Sequence, residues 1–310
     1  LLVCEGGRKA ALMGEKMKNK LKGNMMLALA AFIWGIAFVA QSVSMDHIGP
    51  WTFTCIRNFI AAITLFLLSP LLDGFTGYKK ADRKTKKTLL IGGICCGIAL
   101  CVASMFQQIG IMYTTVGKAG FLTALYTVIV PIMSLFLGKK SSWNVYAAVP
   151  ISIVGMFCLC VNENFRIAYG DILVIICAFM FAIHILVVDH FAPKVDGVRL
   201  SAIQFLTAGC IAFIPMLVLE HPVMQEIIAA SVPILYAGVL SSGAGYTLQI
   251  LGQKNADPSI AGMILSLESV FAALAGAVLL GEVLSMKELA GCVLVFGAII
   301  LSQISFQKKS

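Results

Sequence analysis

Residues Ala119–Pro131 read AGFLTALYTVIVP, and residues Ala261–Ala273 read AGMILSLESVFAA. Both stretches open on Ala-Gly, and Leu125 and Val128 of the first align with Leu267 and Val270 of the second at a spacing of 142 residues. The same spacing aligns Gln107 with Gln249. Further upstream, AFIWG (31–35) matches AFMFA (178–182), and Ile56-Arg57 matches Ile203-Gln204, now 147 residues apart. The change of spacing is a loop adjustment. The chain therefore divides into two repeats, 25–161 and 168–305, behind an N-terminal segment, 1–24, expected to be disordered and cytoplasmic. The copies differ where it matters for chemistry. Tyr126 of the first aligns with Glu268 of the second, a carboxyl group inside an apolar run.

Composition names the solvent. With 59% hydrophobic and 12% charged residues and a mean hydropathy of +0.94, the chain has too few charges to cover a water-facing surface. Apolar runs recur near 25–45, 50–71, 88–110, 115–138, 143–161, 169–189, 199–219, 230–252, 258–280 and 285–305. Each is about 20 residues, long enough to cross a hydrocarbon core of roughly 30 Å. The expected fold class is an all-α integral membrane protein with ten transmembrane helices arranged as two inverted five-helix repeats. The connections leave no room for a soluble domain.

The formal net charge is +8, and its distribution argues against nucleic acid as a partner. Of 23 basic residues, 19 fall in the N-terminal segment, in YKKADRKTKK (78–87), or at Lys139, Lys140, Lys194, Arg199, Lys254, Lys308 and Lys309, all on one side of a ten-span topology. Arg166 and Lys287 fall on the other side, and Arg57 and Lys118 lie within or at the mouth of spans. This bias is the positive-inside pattern and places both termini in the cytoplasm. MKNKLKGNMMLALAAF from Met17 reads as a natural start, with residues 1–16 upstream of it. The 21-residue run from Met25 to Met45 exceeds a signal-peptide core and reads as an uncleaved first span. Most cysteines lie inside spans without paired CxxC spacing, so they read as small apolar fillers.

Five spans per repeat is an odd number, so the second repeat enters the membrane from the opposite side. The repeats are then related by a two-fold axis in the membrane plane, the arrangement of secondary transporters whose site lies at the midplane between repeats. Tyr126 and Glu268 each lie about ten residues into their spans, roughly 15 Å deep at 1.5 Å per residue. They are expected to meet at the bilayer centre.

AFIWGIAFV (31–39), TFTCIRNFIAAITLFLL (52–68), GKAGFLTALYTVIVPIMSLFLGKK (117–140) and PSIAGMILSLESVFAALAGAVLLGE (258–282) together resemble the drug/metabolite transporter superfamily, EamA type. The resemblance runs from Met25 to about Phe306. It implies a ten-helix inverted-repeat carrier whose cavity lies between helices 1, 3, 4, 6, 8 and 9. Members mostly move amino acids or related metabolites, often outward. The second repeat departs from the first by carrying Gln204 where Arg57 stands, so the halves are not equivalent.

Polar side chains inside spans are costly and face a cavity or the bundle interior. Ser242, Tyr246, Gln249 and Gln253 follow helical spacing and read as a cavity wall, with interhelical packing as the rival. Cys101, Ser104 and Gln108 form a second stripe, Trp34 and Gln41 share a face of the first span, and Thr123 and Tyr126 supply hydroxyls. The expected substrate-binding set is Trp34, Gln41, Gln108, Thr123, Tyr126, Ser242, Tyr246 and Gln249. Glu268 is the expected coupling or charge-recognition group. A carboxylate at the helix centre costs about 2.5–3.5 kcal/mol, to be offset by protonation, a cation or a cationic substrate group. His184 is a candidate proton relay or a satisfied buried histidine. Arg57 reads as structural, bound to carbonyls or lipid phosphate outside the cavity. Lys118 reads as an anion attractor or a snorkelling side chain, and Gly93 and Gly97 read as packing devices.

No catalytic constellation, metal spacing or phosphate loop occurs. The four histidines do not pair, and SSGAG (241–245) lies inside an apolar helix. No cofactor is expected. The expected function is secondary transport of small metabolites, most of all amino acids or amphipathic relatives, by alternating access and in the export direction. Protons are the candidate coupling ion and the cell membrane is the site. Three alternatives stand beside it: a proton-coupled exporter of lipophilic cationic drugs, a membrane-embedded enzyme and a passive channel. The expected partners are the substrate and the lipid bilayer, with oligomeric state left open.

Overall fold

The computed structural model describes residues 2–76, 82–136, 143–160, 167–253 and 258–303. Helices α1 (Leu2–Ser44), α2 (Pro50–Thr76) and α3 (Arg83–Gly110) are followed by α4 (Val116–Phe136), which is interrupted at Leu125. Then come α5 (Trp143–Cys160), α6 (Tyr169–Phe191), α7 (Gly197–Glu220) and α8 (Ser231–Gln253). Helix α9 is in two parts, Pro258–Leu265 and Leu267–Leu280, and α10 spans Met286–Gln303. Among the described residues seven helices, α1–α4 and α6–α8, are long and apolar enough to cross a membrane. Tyr146–Cys160 and Leu267–Leu280 are shorter apolar helices, the second because α9 is divided. Lys79, Lys80, Lys139, Lys140, Arg166, Lys254, Lys308 and Lys309, used above for orientation, lie outside the described residues.

The segment 1–24, expected to be disordered, is helical from Leu2 onward and continuous with the first span. Its Ala, Leu, Lys, Glu and Met are strong helix formers, and the span behind them supplies the nucleus that an isolated segment lacks. Other helix starts are written locally. Asp82 accepts from the Thr85 N–H at 2.9 Å, and Asp196 from the Arg199 N–H at 2.8 Å. Ser285 and Glu288 form a capping box, the Ser285 N–H donating to Glu288 at 2.8 Å and the Glu288 N–H to Ser285 Oγ at 3.3 Å.

Large apolar side chains point outward as well as inward. Leu67, Leu71, Ile214 and Val278 are all more than 65% exposed, the surface of a protein whose solvent on that side is hydrocarbon. A multi-pass membrane protein is the class this surface defines.

The packing repeats under exchange of each helix with the one five places later. Helix α3 packs on α6, as α8 packs on α1; α3 packs on α7, as α8 packs on α2; α1 packs on α9, as α6 packs on α4. Helices α2 and α7, α4 and α9, and α5 and α10 pack on their own equivalents. The direction of these pairs is fixed by hydrogen bonds at their ends. At the start of α2, Glu220, the last residue of α7, accepts from the Trp51 and Thr52 N–H groups at 2.8 and 2.7 Å and from Thr52 Oγ1 at 2.7 Å. At the start of α7, Arg199 donates to Asp73, near the end of α2, at 2.7 and 3.1 Å. Thr52 with Arg199, and Asp73 with Glu220, are repeat equivalents at the 147-residue spacing. Helices α2 and α7 therefore run antiparallel. So do α4 and α9: Glu282, just past the left-handed Gly281 (φ 69°), accepts from the Val116 and Gly117 N–H groups at 2.7 and 3.1 Å. A carboxylate at a helix N-terminus also meets the positive end of the helix dipole.

Small residues let the crossing helices approach. Gly93 and Gly97 of α3 face Ile203 and Thr207 of α7, and Gly238 and Gly243 of α8 face Ile60 and Thr64 of α2. A methyl group at any of the four would collide with its neighbour, so these glycines close the contact between the halves.

Candidate functional site

Helices α4 and α9 break within one residue of equivalent places. Helix α4 is interrupted at Leu125, and Thr127 Oγ1 donates back to the Ala124 carbonyl at 2.8 Å. Helix α9 is interrupted at Ser266, and Ser269 Oγ donates back to the Ser266 carbonyl at 2.8 Å. Thr127 and Ser269, like Ala124 and Ser266, are 142 residues apart. The first hydroxyl serves a carbonyl freed because the Val128 N–H turns to Leu125, whereas the Ser266 carbonyl also accepts from the Ser269 N–H at 3.2 Å. Pro131 reinforces the first break by removing the N–H that would return to Thr127.

Tyr126 sits immediately beyond the first break and Glu268 two residues beyond Ser266. Tyr126 Oη donates to Glu268 Oε1 at 3.1 Å, joining the two repeats, and Glu268 is 6% exposed. Around this pair lies an aromatic arc. Phe181 of α6 stands 6.4 Å from the Tyr126 ring. The Tyr246 ring stands edge-on to Phe205 of α7 at 5.1 Å and to Trp34 of α1 at 5.4 Å. Trp34 Nε1 in turn donates to the Ser241 carbonyl at 2.9 Å.

The remaining expected residues divide. Gln108 is buried and donates from Nε2 to the Gln41 backbone carbonyl at 3.1 Å, and Gln41 is buried beside it. Thr123 accepts from Gln107 at 3.2 Å, so the neighbouring amide on α3, not Gln108, reaches the fourth helix. The stripe on α8 is not one regular helical face: Ser242 lies in a wider π-helical segment, Tyr236–Gly245, and the α-helix resumes at Tyr246. Ser242 is buried and Gln249 half-buried. His184 is buried and pairs with Gln204 of α7 at 3.0 Å. Phe181 contacts both the His184 ring and the Tyr126 ring, with centroids 6.3 and 6.4 Å away.

Two cations stand apart from their expected places. Lys118 pairs with Glu288 of α10, and nearby Asp171 of α6 accepts from Thr114, so this end of the bundle is tied shut by charge and hydroxyl contacts. Arg57 points inward. Its Nη2 donates to Ser104 of α3 at 3.2 Å, and its Cζ lies 5.4 Å over the Phe53 ring. The described residues give it a hydroxyl and a ring face, where carbonyls or lipid phosphate were expected. The departure at Gln204, where the repeat lacks a matching cation, was the sequence signal for this residue. Among the described residues no group of three His, Cys, Asp or Glu side chains is placed to hold a metal ion.

Residues 21–161 and 168–303 each match the EamA-like transporter family, and the chain belongs to that family. It is similar to an uncharacterized transporter of Archaeoglobus fulgidus, 30% identical over 93% of this chain and 88% of the relative. It is also similar to the uncharacterized transporter YoaV of Bacillus subtilis, 22% identical over 89% of this chain and 95% of that one. A solved crystal structure, 17% identical, shares the fold at a TM-score of 0.61 over 90% of this chain and 95% of the other.

Proposed function

We propose that this protein is a secondary transporter of small metabolites, above all amino acids and related amphipathic compounds, working by alternating access. The reading places ten spans in the cell membrane with both termini cytoplasmic, repeats at 25–161 and 168–305, and net movement outward. The observation that carries it is the hydrogen bond between Tyr126 and Glu268. It joins repeat equivalents at the point where both α4 and α9 are interrupted. Interrupted helices at a repeat interface are how carriers expose backbone groups to a midplane site. A two-fold-related contact is also the pivot that a rocking motion needs, since each half presents the same surface to the other. Trp34, Gln41, Gln108, Thr123, Tyr126, Ser242, Tyr246 and Gln249 form the substrate-binding set in this reading, and Glu268 senses charge. His184, buried and paired with Gln204, stays with Glu268 as a coupling candidate, with a structural role as its rival.

A second reading, export of lipophilic cations with proton coupling, is favoured by the aromatic arc beside the carboxyl group, since ring faces attract cations. The two are separated by a thermal-unfolding screen of the purified protein against amino acids and against tetraphenylphosphonium, followed by counterflow of each stabilising compound in proteoliposomes. A ligand that binds the native state raises the unfolding temperature by mass action. Amino acids that both stabilise and counterflow support the first reading. No counterflow of any compound tested would refute transport.

A further inference from the structure

Helices α1, α2 and α3 enclose a polar patch whose groups are not satisfied by one another. Gln41 and Gln108 are buried, and each leaves its side-chain oxygen without a partner. Thr54 and Asn58 are fully buried, one turn apart on α2; Thr54 Oγ1 and both polar atoms of Asn58 are unpartnered, as is Arg57 Nε. Ser104 and Gln108, one turn apart on α3, connect the patch: Arg57 donates to Ser104, and Gln108 donates to Gln41. The next turns of α2, Ala61, Ala62 and Leu65, pack with Cys101 and Met105 of α3 and with Tyr246 of α8. The patch thus adjoins the cluster against which Tyr246 packs.

Nearly all buried polar groups in folded proteins have a hydrogen-bond partner, so a cluster without partners calls for one. The donors and acceptors here have a definite bias. Arg57 offers a planar fork of N–H groups, the geometry that receives a carboxylate, and Asn58, the next residue of α2, holds an unpartnered amide. Among the described residues no carboxylate lies within ion-pair distance of Arg57, and no cation lies within that distance of Glu268. Among the described residues the first repeat thus holds a cation without an acid, and the second an acid without a cation.

We propose that Arg57, with Asn58 and Ser104, is the carboxylate-binding half of the transport site, and that the cargo is a zwitterion whose ammonium group is received at Glu268. This rests on the transport reading above and narrows it: a lipophilic cation would leave the half-buried Arg57 without a counter-charge. The asymmetry of the repeats follows, because a dipolar cargo needs the cation on one half and the acid on the other, and Gln204 and Tyr126 fill the complementary places without charge.

The test uses the full chain in detergent, its unfolding temperature measured with four probes: an equimolar mixture of proteinogenic amino acids, their carboxamides, their N-acetyl derivatives, and tetraphenylphosphonium. Amino acids are expected to stabilise the wild-type protein and carboxamides not to, a contrast that needs no variant. Arg57→Gln is expected to weaken the amino-acid effect roughly ten- to a hundredfold in apparent affinity, the worth of a charge-assisted hydrogen bond. Arg57→Lys, which keeps the charge and loses the fork, is expected to fall between. N-acetyl derivatives are expected to bind more weakly than free amino acids in the wild type and equally in Glu268→Gln. Equal stabilisation by acids and carboxamides, or an undiminished effect in Arg57→Gln, would overturn the carboxylate site and leave transport standing. Stabilisation by tetraphenylphosphonium alone would overturn the zwitterion and leave a cation transporter. No effect of any probe, together with no counterflow, would overturn both.

Discussion

Replacing Glu268 by Gln isolates charge from volume at the one contact that joins the two repeats. Glu268 accepts from Tyr126 Oη at 3.1 Å, and an amide oxygen in the same place accepts equally well. Interhelical hydrogen bonds in membranes average about 0.6 kcal/mol, with a maximum near 1.7, so the stability of Glu268→Gln should fall by no more than about 1 kcal/mol. Tyr126→Phe deletes the donor and leaves the carboxyl group buried alone, and should cost about 1–3 kcal/mol. The double variant should cost little more than Tyr126→Phe by itself, because the two side chains share one interaction. Transport should separate the variants differently. If Glu268 receives an ammonium group, loss of that pair costs about 2–5 kcal/mol, roughly 30-fold or more in apparent affinity, and counterflow and net uptake fall together. If Glu268 carries the coupling proton, counterflow survives in Glu268→Gln while accumulation driven by a pH gradient is lost. The assay is labelled-substrate counterflow and net uptake in proteoliposomes, with and without a pH gradient, beside thermal unfolding in detergent. Wild-type rates for Glu268→Gln in both transport assays would refute a role for this carboxyl group in carrying cargo or charge.

Two further outcomes follow from the fold. On a background without other cysteines, Ser285→Cys should react with an impermeant thiol reagent from outside intact cells, and Lys84→Cys and Lys194→Cys should not; the reverse pattern would invert the proposed orientation. Gly245→Ala would place a methyl carbon 2.5 Å from Trp34 Nε1, inside the space the indole uses to reach Ser241. Overpacking of this kind costs typically 1–3 kcal/mol, so thermal unfolding should fall by that amount and binding with it, whereas unchanged stability would mean that Trp34 is not held there.

How much of this was legible beforehand depended on which physical signal carried it. Solvent, helical class and the twofold repetition are properties of composition and spacing, and they are written along the chain: apolar runs of bilayer length, a cationic bias between them, and the Ala-Gly and Leu/Val register at 142 residues. The meeting of Tyr126 with Glu268 was also deducible, since an odd number of spans per repeat turns sequence equivalence into spatial opposition. Side-chain destinations were not. In a soluble helix the polar face marks the solvent, but a helix with lipid on one side and packed protein on the other is apolar all round, and its sequence does not say which way Arg57 turns. That choice is made by the close approach of α8 to α2 at Gly238, which lies against Ile60 and the Arg57 carbonyl, and by Ser104 of α3, which accepts from the guanidinium. The same holds for Gln107 reaching Thr123 in place of Gln108, for His184 ending on Gln204, and for the π-helical turn that takes Ser242 off the Tyr246 face. Spacing along one helix determined the candidates; contacts between helices distant in sequence decided which of them share a site, because a buried polar atom goes wherever the fold supplies a partner.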